Sequence, residues 1–175
     1  MKTDIATYLN DHLAGSSGAL RMIERLTRDP SDRDCEFFKR LLQRVREDRE
    51  TLEYLIVQTG FRIARARQWA GSAVAAVGLL RLARNGLRFG QLGKFEILEM
   101  LALGIHGKHL LWKALAEVKH EYPAWDGFDF TALAETAAAQ QGEVESLRLR
   151  EAVPVLNRVS GRKPPQPLMI SPPFG

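Results

Sequence analysis

Apolar residues recur at helical spacing through most of the chain, and no stretch alternates apolar with polar residues as a half-buried strand would. This pattern confines the fold to the all-α class, because a chain without strands must bury its apolar stripes by packing helix on helix. The first stripe, Ile5, Leu9, Leu13, Leu20, Ile23 and Leu26, predicts a helix from about Thr3 to Arg28, ended by Asp29-Pro30-Ser31. A second helix, capped by Ser31 or Asp32, carries Phe38, Leu41, Val45, Leu52 and Leu55 and runs to about Thr59, where Gly60 stops it. The third spans about Gln91 to His120 and is apolar on most of its circumference, as expected of a buried helix. After a loop over Tyr122 to Gly127, Asp129 or Thr131 caps a fourth helix that runs to about Val153, before Pro154.

Composition narrows the class further. The chain has 175 residues, enough for one core. Its one cysteine, Cys35, can form neither an internal disulfide nor a thiolate metal site, which suits a reducing cytoplasm. The N-terminus lacks the apolar stretch of a secretory signal, and the most apolar window, Trp69 to Leu80, is shorter than the ~20 residues that cross a bilayer. We therefore expect a cytoplasmic protein without a transmembrane segment. The net charge of +4 is modest, but its distribution is uneven. No acidic residue lies between Glu53 and Glu96, a stretch that holds Arg62, Arg65, Arg67, Arg81, Arg84, Arg88 and Lys94.

The expected architecture is an antiparallel four-helix bundle forming a single domain over residues 1–156, followed by a Pro-rich extended tail over 157–175. Residues 61–90, Ala- and Arg-rich with a helical core at Ala70 to Ala83, read as a long, basic crossover between helices two and three. In helix order and spacing the chain resembles the ferritin-like superfamily over about residues 3–153. The stretches from Tyr8 to Gly15 and from Leu103 to Lys108 also resemble a group of bacterial helical proteins to which no activity attaches.

The ferritin-like resemblance implies a possible di-iron or di-manganese centre, built from a Glu on each of two helices and Glu-x-x-His on the other two. The pattern departs from that requirement. Helix two offers Glu47-x-x-Glu50 and helix four Glu143-x-x-Ser146, so both histidines are missing, and helix one has Gly15-Ser16-Ser17-Gly18 at its middle. No metal and no cofactor are expected; His12, Asp48 and Glu99 are the weak candidates for iron or manganese.

Two polar features stand on the helices themselves. His12 and Asp48 continue the apolar seams of helices one and two, and folding about Asp29 to Ser31 brings them level, predicting a His12–Asp48 contact. Such a pair either fixes helix register or forms half of a site, with Ser16 one turn away. On helix three, Glu99, His106 and Lys113 recur every seven residues beside Glu96 and His109. Folding helix four back places Arg148 or Arg150 near Glu99, and Glu143 near His106 or Lys108. The resulting candidate interior cluster is His12, Asp48, Glu47, Glu99, His106, Glu143 and Arg148, and no catalytic group is assigned.

The crossover arginines form a candidate anion or membrane surface, while the sparse aromatics around them argue against nucleic acid. In the tail, Pro164-Pro165-Gln166-Pro167 has polyproline spacing, and Leu168, Met169, Ile170 and Phe174 are apolar enough to dock on the bundle or a second subunit. The expected role is a non-enzymatic bundle with a structural or partner-binding function, as a homo-oligomer or with another protein. The alternatives are a degenerate metal centre and peripheral binding to an anionic membrane.

Overall fold

The computed structural model describes residues 2–64 and 91–157. They form four long helices and, among the described residues, no strand: α1 (Lys2–Leu26), α2 (Cys35–Gln58), α3 (Gln91–Val118) and α4 (Phe130–Leu156). Two short 3-10 turns, Lys119–Glu121 and Pro123–Trp125, join α3 to α4. No described helix is long and apolar enough to cross a membrane.

Each helix end has a local cause. Gly60, at φ 75°, closes α2. Around it the Phe61 amide donates to the Ile56 carbonyl at 3.1 Å and the Gly60 amide to Val57 at 2.9 Å, the paired bonds of a Schellman motif. Asp129 caps α4 as expected, its carboxylate accepting from the Ala132 amide at 3.0 Å. The start of α2 departs from expectation. The capping position falls to Asp34, whose side chain makes no capping bond because it is drawn off to Lys94 and Arg150. Helix α4 also runs through Pro154 to Leu156, since a proline this close to a C-terminus forfeits one backbone bond and leaves the last turn intact.

Side-chain partners fix the helix directions. Between α1 and α2, Glu24 meets Arg46 while Leu13 and Ser16 meet Arg49, so the two run antiparallel. Glu99 with Arg148, His106 with Gln141 and His109 with Ala134 make α3 and α4 antiparallel as well. Helices α2 and α3 instead run parallel, because Lys94 meets Asp34 and Lys108 meets Asp48, each sixty residues apart. The chain between Gln58 and Gln91 therefore joins opposite ends of the bundle, ~36 Å apart for a helix of this length. The helical core expected at 70–83, and the tail beyond Asn157, lie outside the described residues.

Apolar side chains collect in two clusters stacked along the bundle. One joins Met22, Ile23 and Leu26 to Phe38, Leu41, Ile97, Leu98 and Leu101. The other joins Leu9 and Leu13 to Leu52, Leu55, Leu111, Trp112, Trp125 and Phe130. Trp125, expected in a loop, is fully buried and donates to the Thr59 hydroxyl at 2.7 Å, closing the end of α2. Helix α3 is not buried all round: Leu103 and Leu110 face solvent, because α4 and α1 cover only one side of it.

An ion cluster ties the opposite end. Lys94 Nζ donates to Asp32 at 2.9 Å and to Asp34 at 2.8 Å, lies 3.7 Å from Glu151, and sits 5.4 Å above the Phe38 ring. Glu151, 5% exposed, takes a 2.6 Å bond from Arg33. Burial pushes the Asp34 carboxyl up, but hydrogen bonds and charge from Lys94 and Arg150 outweigh this and hold it below the ordinary value. Its stabilising contribution is thus present above about pH 4 and lost as pH falls through the lower folded-state value. Replacing Lys94 with Met leaves nearly buried carboxylates without their ammonium, and should cost about 3 kcal/mol in urea unfolding at neutral pH. The variant should also lose less stability than wild type between about pH 5 and pH 2, a range in which the same titration can be followed.

Candidate functional site

Between the two apolar clusters, three helices each turn one polar residue inward. Asp48 stands on the α2 seam between Val45 and Leu52, Lys108 on α3 between Ile105 and Leu111, and Gln140 on α4 between Ala137 and Val144. Lys108 Nζ donates to Asp48 Oδ2 and to Gln140 Oε1, and the Gln140 amide lies 3.4 Å from Asp48 Oδ2. Lys108 and Asp48 are only 16% and 14% exposed. Burial depresses the Lys108 ammonium below its ordinary value, even though the Asp48 carboxylate pulls the other way. The pair is thus held against a desolvation cost, which makes hydrogen bonding to both partners obligatory.

Helix α1 meets this layer through hydroxyls. Arg49 donates to Ser16 Oγ at 2.7 Å, Ser17 Oγ at 2.9 Å and the Leu13 carbonyl at 2.9 Å, and pairs with Glu53 at 2.8 Å. The layer borders a cavity of about 470 Å³, within the roughly 300–1,000 Å³ span of small-molecule sites. Tyr8, Asp11, His12, Gly15, Ser16 and Ala19 line it from α1; Val45, Asp48, Arg49 and Leu52 from α2; Gly104, Ile105, Gly107, Lys108, Leu111 and Trp112 from α3. His12 packs edge-on against Tyr8, with ring centroids 4.8 Å apart. Burial lowers its pKa, partly offset by Asp11, so the imidazole is neutral at pH 7.

Two details of the wall are unusual. A Cβ placed on Gly15, Gly104 or Gly107 meets nothing within 4 Å, so none of the three is needed for close helix packing. Each nonetheless costs its helix roughly 1 kcal/mol relative to alanine. Trp112 is 1% exposed, and its indole N–H has no hydrogen-bond partner among the described residues.

The expected cluster is only partly assembled. His12 and Asp48 line the same cavity, but the expected bond between them is not formed; Asp48 is engaged by Lys108 and Gln140 instead. Glu47 is exposed and bonds Gln43 within its own helix. Glu99 and His106 lie on the outer face of α3, because the buried face runs through Leu101, Ile105, Lys108 and Trp112. Arg148 does reach Glu99, at 3.5 Å, whereas Glu143 pairs with Arg44 of α2 and His106 with Gln141. Among the described residues no three His, Cys, Asp or Glu side chains converge in a metal-binding group. Of the basic surface, Arg62 is described and exposed; Arg65, Arg67, Arg81, Arg84 and Arg88 lie outside the described residues.

Sequence reasoning missed Lys108 and Gln140 as members of the layer, although both interrupt apolar seams. It also missed Asn10, 4% exposed, whose amide donates to the Ala6 and Arg62 carbonyls and accepts from the Ala64 amide at 2.6 Å. Asn10 thereby pins residues 62–64 to α1.

Replacing Asp48 alone with Leu should destabilise the fold by about 3 kcal/mol, because Lys108 is left buried without its counter-charge. The double variant Asp48→Leu/Lys108→Met should return to within about 1 kcal/mol of wild type, a non-additivity that chemical denaturation of the four proteins of the cycle will measure. Comparison with protein-family models, with curated proteins and with solved structures finds no match to this chain.

Proposed function

We propose that the chain is a non-enzymatic bundle of the ferritin-like class that has no di-metal centre and works by binding, with the α1–α2–α3 cavity as its binding site. The two antiparallel hairpins, set so that α2 and α3 run parallel, support the ferritin-like reading. The observation that carries the functional reading is the Lys108 ammonium, lodged between Asp48 and Gln140 where inward-facing carboxylates would have to gather. A hard divalent cation needs several anionic oxygens. This layer offers one carboxylate, already neutralised, with the Arg49 guanidinium beside it on the cavity wall. Glu99, the third weak candidate for iron or manganese, stands on the outer face of α3. The donor set therefore favours a cavity that takes an uncharged or organic guest over one that takes a metal.

Among the described residues on the cavity wall, no serine is set against a base as a nucleophile. Ser16 donates back to the Leu13 carbonyl at 2.7 Å and accepts from Arg49, so its hydroxyl is not presented to a base. A binding role needs none. Elemental analysis of protein purified without an affinity tag should find metal far below one atom per chain, and added iron, manganese or zinc should leave the melting temperature unchanged. Near-stoichiometric metal that is lost in Asp48→Asn would overturn this reading.

A second reading, self-association or a protein partner, is favoured by the exposed Leu149, Val153 and Leu156 along the last turns of α4. Sedimentation equilibrium should then show a mass that rises with concentration and falls back to the monomer in Val153→Lys; a monomer throughout counts against self-association.

A further inference from the structure

We infer that the guest of the α1–α2–α3 cavity, taken as the binding site proposed above, is a neutral alcohol or phenol with an apolar body. Its hydroxyl donates to Asp48 Oδ1 and accepts from the His12 imidazole, two groups that line the cavity with hydrogen-bonding capacity left over.

Both groups keep capacity because their neighbours use only part of them. Asp48 receives Lys108 and the Gln140 amide on the same oxygen, Oδ2, so Oδ1 has no bond among the described residues. His12 meets the Tyr8 ring edge-on, and its ring nitrogens likewise have no hydrogen bond among the described residues. The unbonded side-chain atoms sealed from solvent are Arg44 Nε, Glu96 Oε2 and Trp112 Nε1, whereas Asp48 Oδ1 and the His12 nitrogens keep accessible surface. The two residues also stand at one level on neighbouring helices. Arg49, next to Asp48, donates to the carbonyl of Leu13, next to His12, at 2.9 Å. A hydroxyl entering at that level meets an acceptor on α2 and a donor on α1.

A hydroxyl is the neutral group that serves both at once. The carboxylate oxygen only accepts, and the neutral imidazole offers an N–H. Charged guests fare worse. Lys108 is committed to Asp48 and Gln140, and Arg49 to Glu53, two serine hydroxyls and a backbone carbonyl. An anion would shed its hydration shell against cations that already have partners and would stand beside the Asp48 carboxylate. An ammonium would compete with Lys108 for Asp48. The rest of the wall, Val45, Leu52, Ile105 and Leu111, is hydrocarbon and suits an apolar body.

The test uses the full chain and probes that share one aromatic body: 2-naphthol; 2-methoxynaphthalene, which keeps the oxygen and loses the donor; naphthalene, which has neither; and 2-naphthoate, an anion. 2-Naphthol should bind saturably with one site per chain, about three- to tenfold tighter than 2-methoxynaphthalene, and 2-naphthoate should bind weakest. Its addition should shift the NMR signals of the His12 ring protons and leave those of His106, on the outer face of α3, in place. His12→Phe keeps an aromatic ring and removes the N–H, so it should weaken 2-naphthol by about three- to tenfold and leave naphthalene unchanged. His12→Gln retains a donor and should weaken 2-naphthol less. The guest chemistry is overturned, and the cavity stands as a binding site, if the His12 protons shift but 2-naphthoate is preferred, the methyl ether binds as well as 2-naphthol, or His12→Phe leaves 2-naphthol unaffected. If no probe binds saturably, or binding leaves the His12 ring protons unmoved, the cavity reading falls with it.

Discussion

A buried ammonium at mid-height governs how the four helices are arranged. Lys108 cannot be left in an apolar interior alone, so Asp48 on α2 and Gln140 on α4 must both reach it, and α2, α3 and α4 are held at one level. Lys94 repeats the constraint at one end with the same sixty-residue offset from Asp34. The two lysines are fourteen residues apart, close to four helical turns and so on one face of α3. Sliding α3 by one turn against α2 would break both contacts together. Apolar packing alone tolerates such slips more readily, since leucines and isoleucines on neighbouring turns are near equivalents. The polar contacts thus fix register, and the two apolar clusters on either side supply the burial that offsets their desolvation.

The helices themselves were legible because their causes are local. The apolar seams of α1 and α2, the Gly60 stop and the Asp129 cap follow from spacing and backbone preference, and the structure reproduces them within a few residues. The candidate site was less legible. His12 and Asp48 were correctly placed on seams, but which polar residue meets which depends on helix rotation across pairs of elements, and one sequence does not encode that in any short window. Lys108 outcompetes His12 for Asp48 because a charged donor from the facing helix satisfies a buried carboxylate better than a neutral imidazole. Lys108 and Gln140 did carry a signal, since each breaks an apolar seam. The regular seven-residue spacing of Glu99, His106 and Lys113 was more conspicuous and belongs to the solvent face. Asn10 gave no signal, because the two contacts that pin the chain to α1 are to backbone groups more than fifty residues away.

The cavity shows where the chain departs from the most stable arrangement available to it. Alanine at three glycine positions would strengthen two helices without a clash, yet glycine stands at each. They sit beside the polar layer of Asp48, Lys108 and Gln140, whose side chains bond one another across three helices. A hollow in a bundle would ordinarily invite collapse by side-chain rearrangement. Here the Lys108 and Arg49 contacts brace two sides of the hollow, so the space survives between helices that cannot close on it.

The end cluster has a kinetic meaning distinct from its contribution to stability. Asp34 and Arg150 are 116 residues apart, and Arg33 and Glu151 are 118 apart. Each hairpin can zip from its own turn through contacts of short sequence separation, but these pairs close a loop spanning most of the chain. Their closure therefore costs more chain entropy than any contact within one hairpin, which places them after the hairpin contacts in the expected order of formation. Interactions made after the rate-limiting barrier leave the folding rate almost untouched and act on the lifetime of the folded state. The cluster is in effect a latch: it does little to find the fold, and it sets how long the two halves remain together once found.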